Sequence, residues 1–227
     1  MNPCKSLVAV AAISTLMSVS APAQAFSFAG ATSNTDGSFS FANTTNVQFD
    51  FFASHGAYQS DFNVYDSSKK FVTTLFTELQ AKDPGSSNKN DAKGTCPLSV
   101  QPCQTTFTFA KGVSYFLGLT AKGAKTVYTD SAETSFNFVS GSETFDYYTN
   151  FKGNGSDLSQ RTKKTITAAP GTTLIAVNDS WKGDRDYNDF IVTAESVPEP
   201  GTIGALLGVG ALGFMGRRRK AGAAEKA

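Results

Sequence analysis

The chain has 227 residues, enough for one ordinary domain with short terminal signals. Its formal charge of +1 is unevenly placed: residues 26–197 carry 14 Lys and Arg against 17 Asp and Glu, while Lys5, Arg217, Arg218, Arg219 and Lys220 sit towards the ends. A mildly acidic body excludes a basic nucleic-acid-binding face, and its wealth of Phe, Thr, Ser, Asn, Gly and Asp suits strands joined by turns rather than helices.

Residues 1–25 read as a secretory signal peptide. Lys5 supplies the positive start, residues 7–19 an apolar run, and Ala21-Pro22-Ala23 and Ala23-Gln24-Ala25 the small residues a signal peptidase reads. Cleavage after Ala25 leaves Phe26 first. The alternative is an uncleaved anchor helix, for which the run is short.

From there to residue 196 the chain predicts one β domain. Alternation with period two recurs at Phe26/Phe28, Phe39/Phe41, Val47/Phe49/Phe51, Phe107/Phe109, Tyr115/Leu117/Leu119, Phe136/Phe138 and Phe190/Val192. Each run puts large apolar groups on one face and polar groups on the other. Turn clusters at Asn34-Thr35-Asp36-Gly37, Asp83-Pro84-Gly85-Ser86, Gly153-Asn154-Gly155 and Pro170-Gly171 separate them. The expectation is an all-β, two-sheet antiparallel sandwich of jelly-roll type. Residues 74–82 are the one stretch predicted to form a turn or two of helix.

Residues 83–105 form the longest polar insertion and hold Cys96 and Cys103; Cys4 leaves with the signal peptide. Two cysteines in an exported domain most simply form a disulfide. A metal or redox pair is the alternative, but the spacing is not C-x-x-C and no nearby histidine completes a zinc set.

The densest group of oxygen ligands runs from Asn178-Asp179 through Trp181 to Gly183-Asp184-Arg185-Asp186-Tyr187-Asn188-Asp189. Asp184, Asp186 and Asn188 alternate, so a curled loop can aim all three at one point, with Asp179 and Asp189 adding charge. Hard cations such as Ca²⁺ take six to eight such oxygens. The spacing is not that of an EF-hand: Asp189 stands where glycine is needed, and a strand over 190–194 carries Glu195 roughly 20 Å away. The structural alternative is a turn capped by Asp and Asn, with Arg185 neutralising the acids.

Val197-Pro198-Glu199-Pro200 is followed by an uncharged run over 201–216 and then Arg217-Arg218-Arg219-Lys220, leaving a tail at 221–227. Sixteen helical residues span roughly 24 Å, slightly short of a bilayer core. A basic cluster stays cytoplasmic, which puts the body outside. The arrangement resembles the PEP-CTERM sorting signal over 197–220. The resemblance implies export by a Gram-negative bacterium that makes extracellular polysaccharide. It also implies transient insertion in the inner membrane by a short transmembrane helix, then cutting by an exosortase near Pro198, Glu199 and Pro200. A plain membrane anchor is the alternative.

Residues 183–190 also resemble the G-D-x-D-[FY]-N-D hallmark of a family of exported bacterial domains of unknown function. His55-Gly56-Ala57-Tyr58 to Asn63-Val64-Tyr65 is similar to that family's earlier aromatic segment, with Asn63 where Gly is usual. The resemblance implies a β-rich fold and a calcium site held by Asp179, Asp184, Asp186, Asn188 and Asp189, with no established activity.

Nothing predicts an enzyme. His55 is the sole histidine and is expected in a loop or at the surface. No phosphate-binding loop occurs, and Glu133 and Glu143 carry nothing that marks them as a carboxylate pair. The first functional expectation is an exported cell-surface or extracellular-matrix protein with a structural calcium loop. The second is a calcium-dependent exopolysaccharide-binding module with Trp181 and Tyr187 stacking on sugar rings. The third is a hydrolase of surface polysaccharide.

Overall fold

The computed structural model describes residues 28–56, 58–86, 92–130, 135–149, 161–179 and 186–198. Every regular element among them is a strand, and pairing between strands is antiparallel. No helix among the described residues is long and apolar enough to cross a membrane. Residues 1–25 and 201–216 lie outside the described residues.

One sheet runs in the order β1 (Thr32–Ser33), β2 (Phe39–Ser40), β9 (Tyr115–Ala121), β4 (Ser60–Asp66), β5 (Phe71–Glu78) and β7 (Val100–Gln101), with β10 (Thr126–Tyr128) also on β9. The other runs β11 (Phe136–Ser140), β14 (Thr173–Val177), β15 (Phe190–Val197), β3 (Thr45–Gly56) and β6 (Ala92–Gly94), with β8 (Gln104–Phe109) on the first half of β3. The alternating runs explain why the sheets face one another. Phe39, Phe62, Val64, Leu117 and Leu119 of one sheet meet Val47, Phe49, Phe109, Phe190 and Val192 of the other in one core. Phenylalanine dominates it: Phe62 and Phe190 stack across the sheets at 5.7 Å, and Phe28 packs against Phe39, Phe41, Phe49, Phe109 and Phe138. Each ring removes a large apolar surface from water, and edge-to-face pairs add to that.

A third layer lies outside the sandwich. The hairpin β12 (Thr144–Thr149) and β13 (Thr162–Thr167) forms a sheet of its own. Phe145 and Tyr147 of β12, with Ile166 and Ala168, pack on Val139, Leu174, Ala176 and Ile191 in a second core. This is why all five residues of β14 are buried: one face meets the main core and the other meets the hairpin.

Two of the expected features differ in the fold. Residues 74–82 hold no helical turn; Phe71–Glu78 is strand β5, with Leu75 and Phe76 in the core and Thr74 bonded to Asn63 on the outer face. Val72, Thr73, Thr74 and Thr77 are β-branched, which favours that outcome. His55 is neither in a loop nor at the surface: it is the penultimate residue of β3 and is buried.

The insertion at 83–105 contributes β6, β7 and the start of β8, and Cys96 and Cys103 are bridged with Cα atoms 5.4 Å apart. Inside the loop, Asp83 accepts hydrogen bonds from the Thr95 amide (3.0 Å), the Thr95 hydroxyl (2.6 Å) and the Ser99 hydroxyl (2.6 Å). Those donors hold its carboxyl below the usual range against the opposing effect of burial. The Cys103 carbonyl accepts from the Phe51 amide at 2.9 Å, tying the bridge to β3. Replacing both cysteines with serine should lower stability by about 2–3 kcal/mol, the loop-closure entropy of so short a loop. Urea unfolding with and without reductant measures it, and the reductant should leave the double variant unchanged.

Candidate functional site

The late motif and the earlier aromatic segment, far apart in sequence, meet at one pole of the sandwich. The strands dictate this: β14 ends at Val177, β15 starts at Phe190 and β3 ends at Gly56, all at the same end of one sheet. The Asn188 carbonyl accepts the His55 amide at 2.9 Å. Gly56 leaves room for Asp189: a Cβ there would stand 3.2 Å from Asp189 Oδ1. The His55 and Tyr147 rings lie 6.2 Å apart.

The motif residues hold the polypeptide together. Asp186 and Arg161 form an ion pair in which both side chains are almost fully buried. The Asp186 carbonyl accepts the Tyr148 amide at 3.3 Å, and the Asn188 side-chain amide donates to the Tyr148 carbonyl. Asp186 and Asn188 thus fasten the start of β15 to the hairpin layer, with Arg161 at the entry to β13 supplying the countercharge. Asp189 Oδ2 accepts the Asp179 amide at 2.8 Å, closing the loop between β14 and β15 at its base. Between these contacts Tyr187 adopts a left-handed φ of +51°, uncommon for so bulky a residue, and its ring meets Phe145 edge to face at 6.1 Å.

The structure therefore brings Asp179, Asp186, Asn188 and Asp189 to one pole. Trp181, Asp184 and Arg185 lie outside the described residues, as does the Glu199-Pro200 part of the tail; Pro198 directly follows β15. Among the described residues no group of three His, Cys, Asp or Glu side chains comes together to hold a metal.

Beside the motif lies a buried polar cluster that the sequence reading passed over. Glu78, at the end of β5, accepts hydrogen bonds from the Ser54 hydroxyl of β3 and the Ser60 amide of β4 at 2.7 Å. Gly94 of β6 closes over it: a Cβ there would lie 2.2 Å from Ser54 Oγ and 3.3 Å from Glu78 Oε1, so only glycine fits without a shift. Burial pushes the Glu78 carboxyl up to about 7 despite those two donors, and the charges of Asp179 and Asp61 push the same way. His55 moves in the opposite sense, down to about 4, again chiefly by burial, with Lys164 and Lys93 adding to it. Arg161 had one legible signal: it is one of only two arginines in a body holding twelve lysines, and buried pairing with a carboxylate favours the guanidinium. Glu78 had none beyond the scarcity of glutamate.

Comparison with known proteins adds a sorting signal. Residues 196–220 match the PEP-CTERM protein-sorting motif, so the chain carries that signal from the last two residues of β15 onward. A search of curated proteins finds no match to the chain. Among solved structures, a Chromobacterium violaceum lectin in complex with α-methyl-fucoside is similar, with 12% identity and a TM-score of 0.34 over 72% of this chain and 96% of the lectin. A Ralstonia solanacearum high-affinity mannose-binding lectin gives 13%, 0.33, 72% and 96%. Neither likeness is close enough to assign a ligand.

Proposed function

We propose that this chain is an exported cell-surface or extracellular-matrix protein, inserted in the inner membrane by its tail and processed there by an exosortase. The observation that carries this reading is the sorting motif at 196–220, which begins at the end of β15. Changing Pro198, Glu199 and Pro200 together to alanine should leave an uncut form in the membrane fraction, seen as a larger band by immunoblot; normal release of a trimmed product would contradict it.

Within that reading the acidic motif is a lock between layers. Arg161 supplies the positive charge that Asp186 needs, and a divalent ion ligated by the same carboxylate would meet the guanidinium's like charge. Calcium binding accordingly falls to Asp179, Asp184 and Asp189. Support for that is the seating of Asp189 against the Asp179 amide, which holds two of the three acids together. Titration of the mature protein with Ca²⁺ should release or absorb heat and raise the melting temperature, and EDTA should reverse the rise. A flat titration with no change in melting temperature would leave the lock as the motif's sole role. A calcium-dependent exopolysaccharide-binding role would use the same pole, with Trp181 as the stacking ring; Tyr187 is engaged with Phe145.

A further inference from the structure

Phe28, the first described residue, and Val197, at the end of β15, both lie towards one pole of the domain, opposite the acidic motif. β15 runs from the motif pole to Val197, which pairs with Asn46 at the start of β3. Thr45 pairs with Phe109, and Phe41 bridges to Lys111, so the turns around 41–45 and 109–114 cap this end. Phe28, the third residue after the expected signal-peptide cut, packs here against Phe41 and Phe109 at 6.0 and 6.4 Å. The tether is short. Only residues 198–200 separate Val197 from the apolar run that starts at 201, and three residues reach at most about 10 Å. β15 itself, at eight residues, is roughly 26 Å long at about 3.3 Å per residue.

Resting on the export and tail-insertion reading, we propose that the pole formed by these two turns is the surface that lies on the bilayer in the anchored precursor, with the acidic motif held at the far end. The occupant is the lipid headgroup layer, committed by the length of the tether. The surface suits it. Val113 is 42% exposed, Lys111 is exposed beside it, and Asn43 and Thr44 complete the rim. An apolar tip flanked by a lysine fits a headgroup boundary, where the long stem lies against apolar surface and the ammonium reaches phosphate. The consequence is functional: until the exosortase cuts, the Asp179–Asp189 pole is presented outward, clear of the membrane, and the cut removes the constraint that sets this orientation.

The test uses the full precursor, accumulated uncut in inner-membrane vesicles through the alanine replacement of Pro198, Glu199 and Pro200. A single cysteine replaces Asn43 or Tyr58, which are both exposed and stand at opposite poles. Cys96 and Cys103 are bridged and Cys4 departs with residues 1–25, so the introduced thiol takes the fluorophore. With nitroxide carried on the lipid headgroups, the label at Asn43→Cys should be quenched several-fold more than the label at Tyr58→Cys. Equal quenching, or stronger quenching at Tyr58→Cys, in precursor that floats with the vesicles overturns the orientation alone. Precursor that does not float with the vesicles removes the anchored reading and this inference with it.

Discussion

Asp186→Ala should destabilise the domain by about 3–5 kcal/mol, because it leaves the buried guanidinium of Arg161 without its carboxylate. Arg161→Met should cost a similar amount for the converse reason. The double variant Arg161→Met with Asp186→Leu should recover most of the loss, since well-packed apolar residues replace a buried ion pair at little net cost. Chemical unfolding of the four proteins completes a double-mutant cycle. A large coupling energy is expected, and losses that simply add would show that the two charges do not act as a pair. The hairpin layer should respond first: Asp186 and Asn188 connect it to the start of β15, so amide exchange in β12 and β13 should accelerate in Asp186→Ala before that of the main core.

A second large effect is set by pH. Glu78 has an ordinary value of 4.5 and stands at about 7 when folded, so the native state holds a proton that the unfolded chain releases across that interval. Stability from this group is full below 4.5 and is lost as pH rises through 7, a change of about 3 kcal/mol in all. His55 has the reverse sign: its folded value of about 4 lies below the ordinary 6.5, so its contribution is present above 6.5 and is lost as pH falls through 4. Between roughly pH 4.5 and 6.5 the two slopes oppose and nearly cancel. Glu78→Gln removes one of them. The amide imitates the protonated acid, offering an N–H towards Ser54 and an oxygen to the Ser60 amide. The variant should match the parent near pH 4.5 and exceed it by up to about 3 kcal/mol at pH 8. Urea midpoints measured at both pH values provide the check; an equal difference at each would show that Glu78 does not titrate in this interval.

The sandwich was legible because its signal is periodic. Runs such as Val47/Phe49/Phe51 and Tyr115/Leu117/Leu119 announce one buried face, and those faces form the core. The outer layer was not legible in the same way. β14 reads as a short continuous apolar run, Leu174 to Val177, and no alternation tells whether its second face meets a core or water. A lone polar residue beside a Gly-Ala pair reads as a loop, whereas β3 continues to Gly56 and His55 is buried. Residues 74–82 carry only a weak periodicity, which pairing with β4 overrides. At the motif, the clustering of acids was plain, but the partner of Asp186 was not: Arg185 is adjacent in sequence, and the cation that meets Asp186 is Arg161, 25 residues upstream. Contacts between distant segments leave no local trace, and no pattern marks Glu78, Ser54 and Gly94 as neighbours.

The place of β15 also bears on how the chain is made. Among the described residues it is the last strand in sequence, yet it lies in the middle of its sheet, between β14 and β3, and its final pair joins residues 46 and 197. Until it docks, both neighbours have an open ladder of amides and carbonyls, the kind of edge that recruits stray strands. Closure over so long a stretch of sequence is slow by nature, and it waits until nearly the whole polypeptide is available to fold. On the proposed processing, a cut eight residues inward of Val197 would remove the seam of the sheet, whereas one at Pro198-Glu199-Pro200, directly behind that strand, would leave the fold whole.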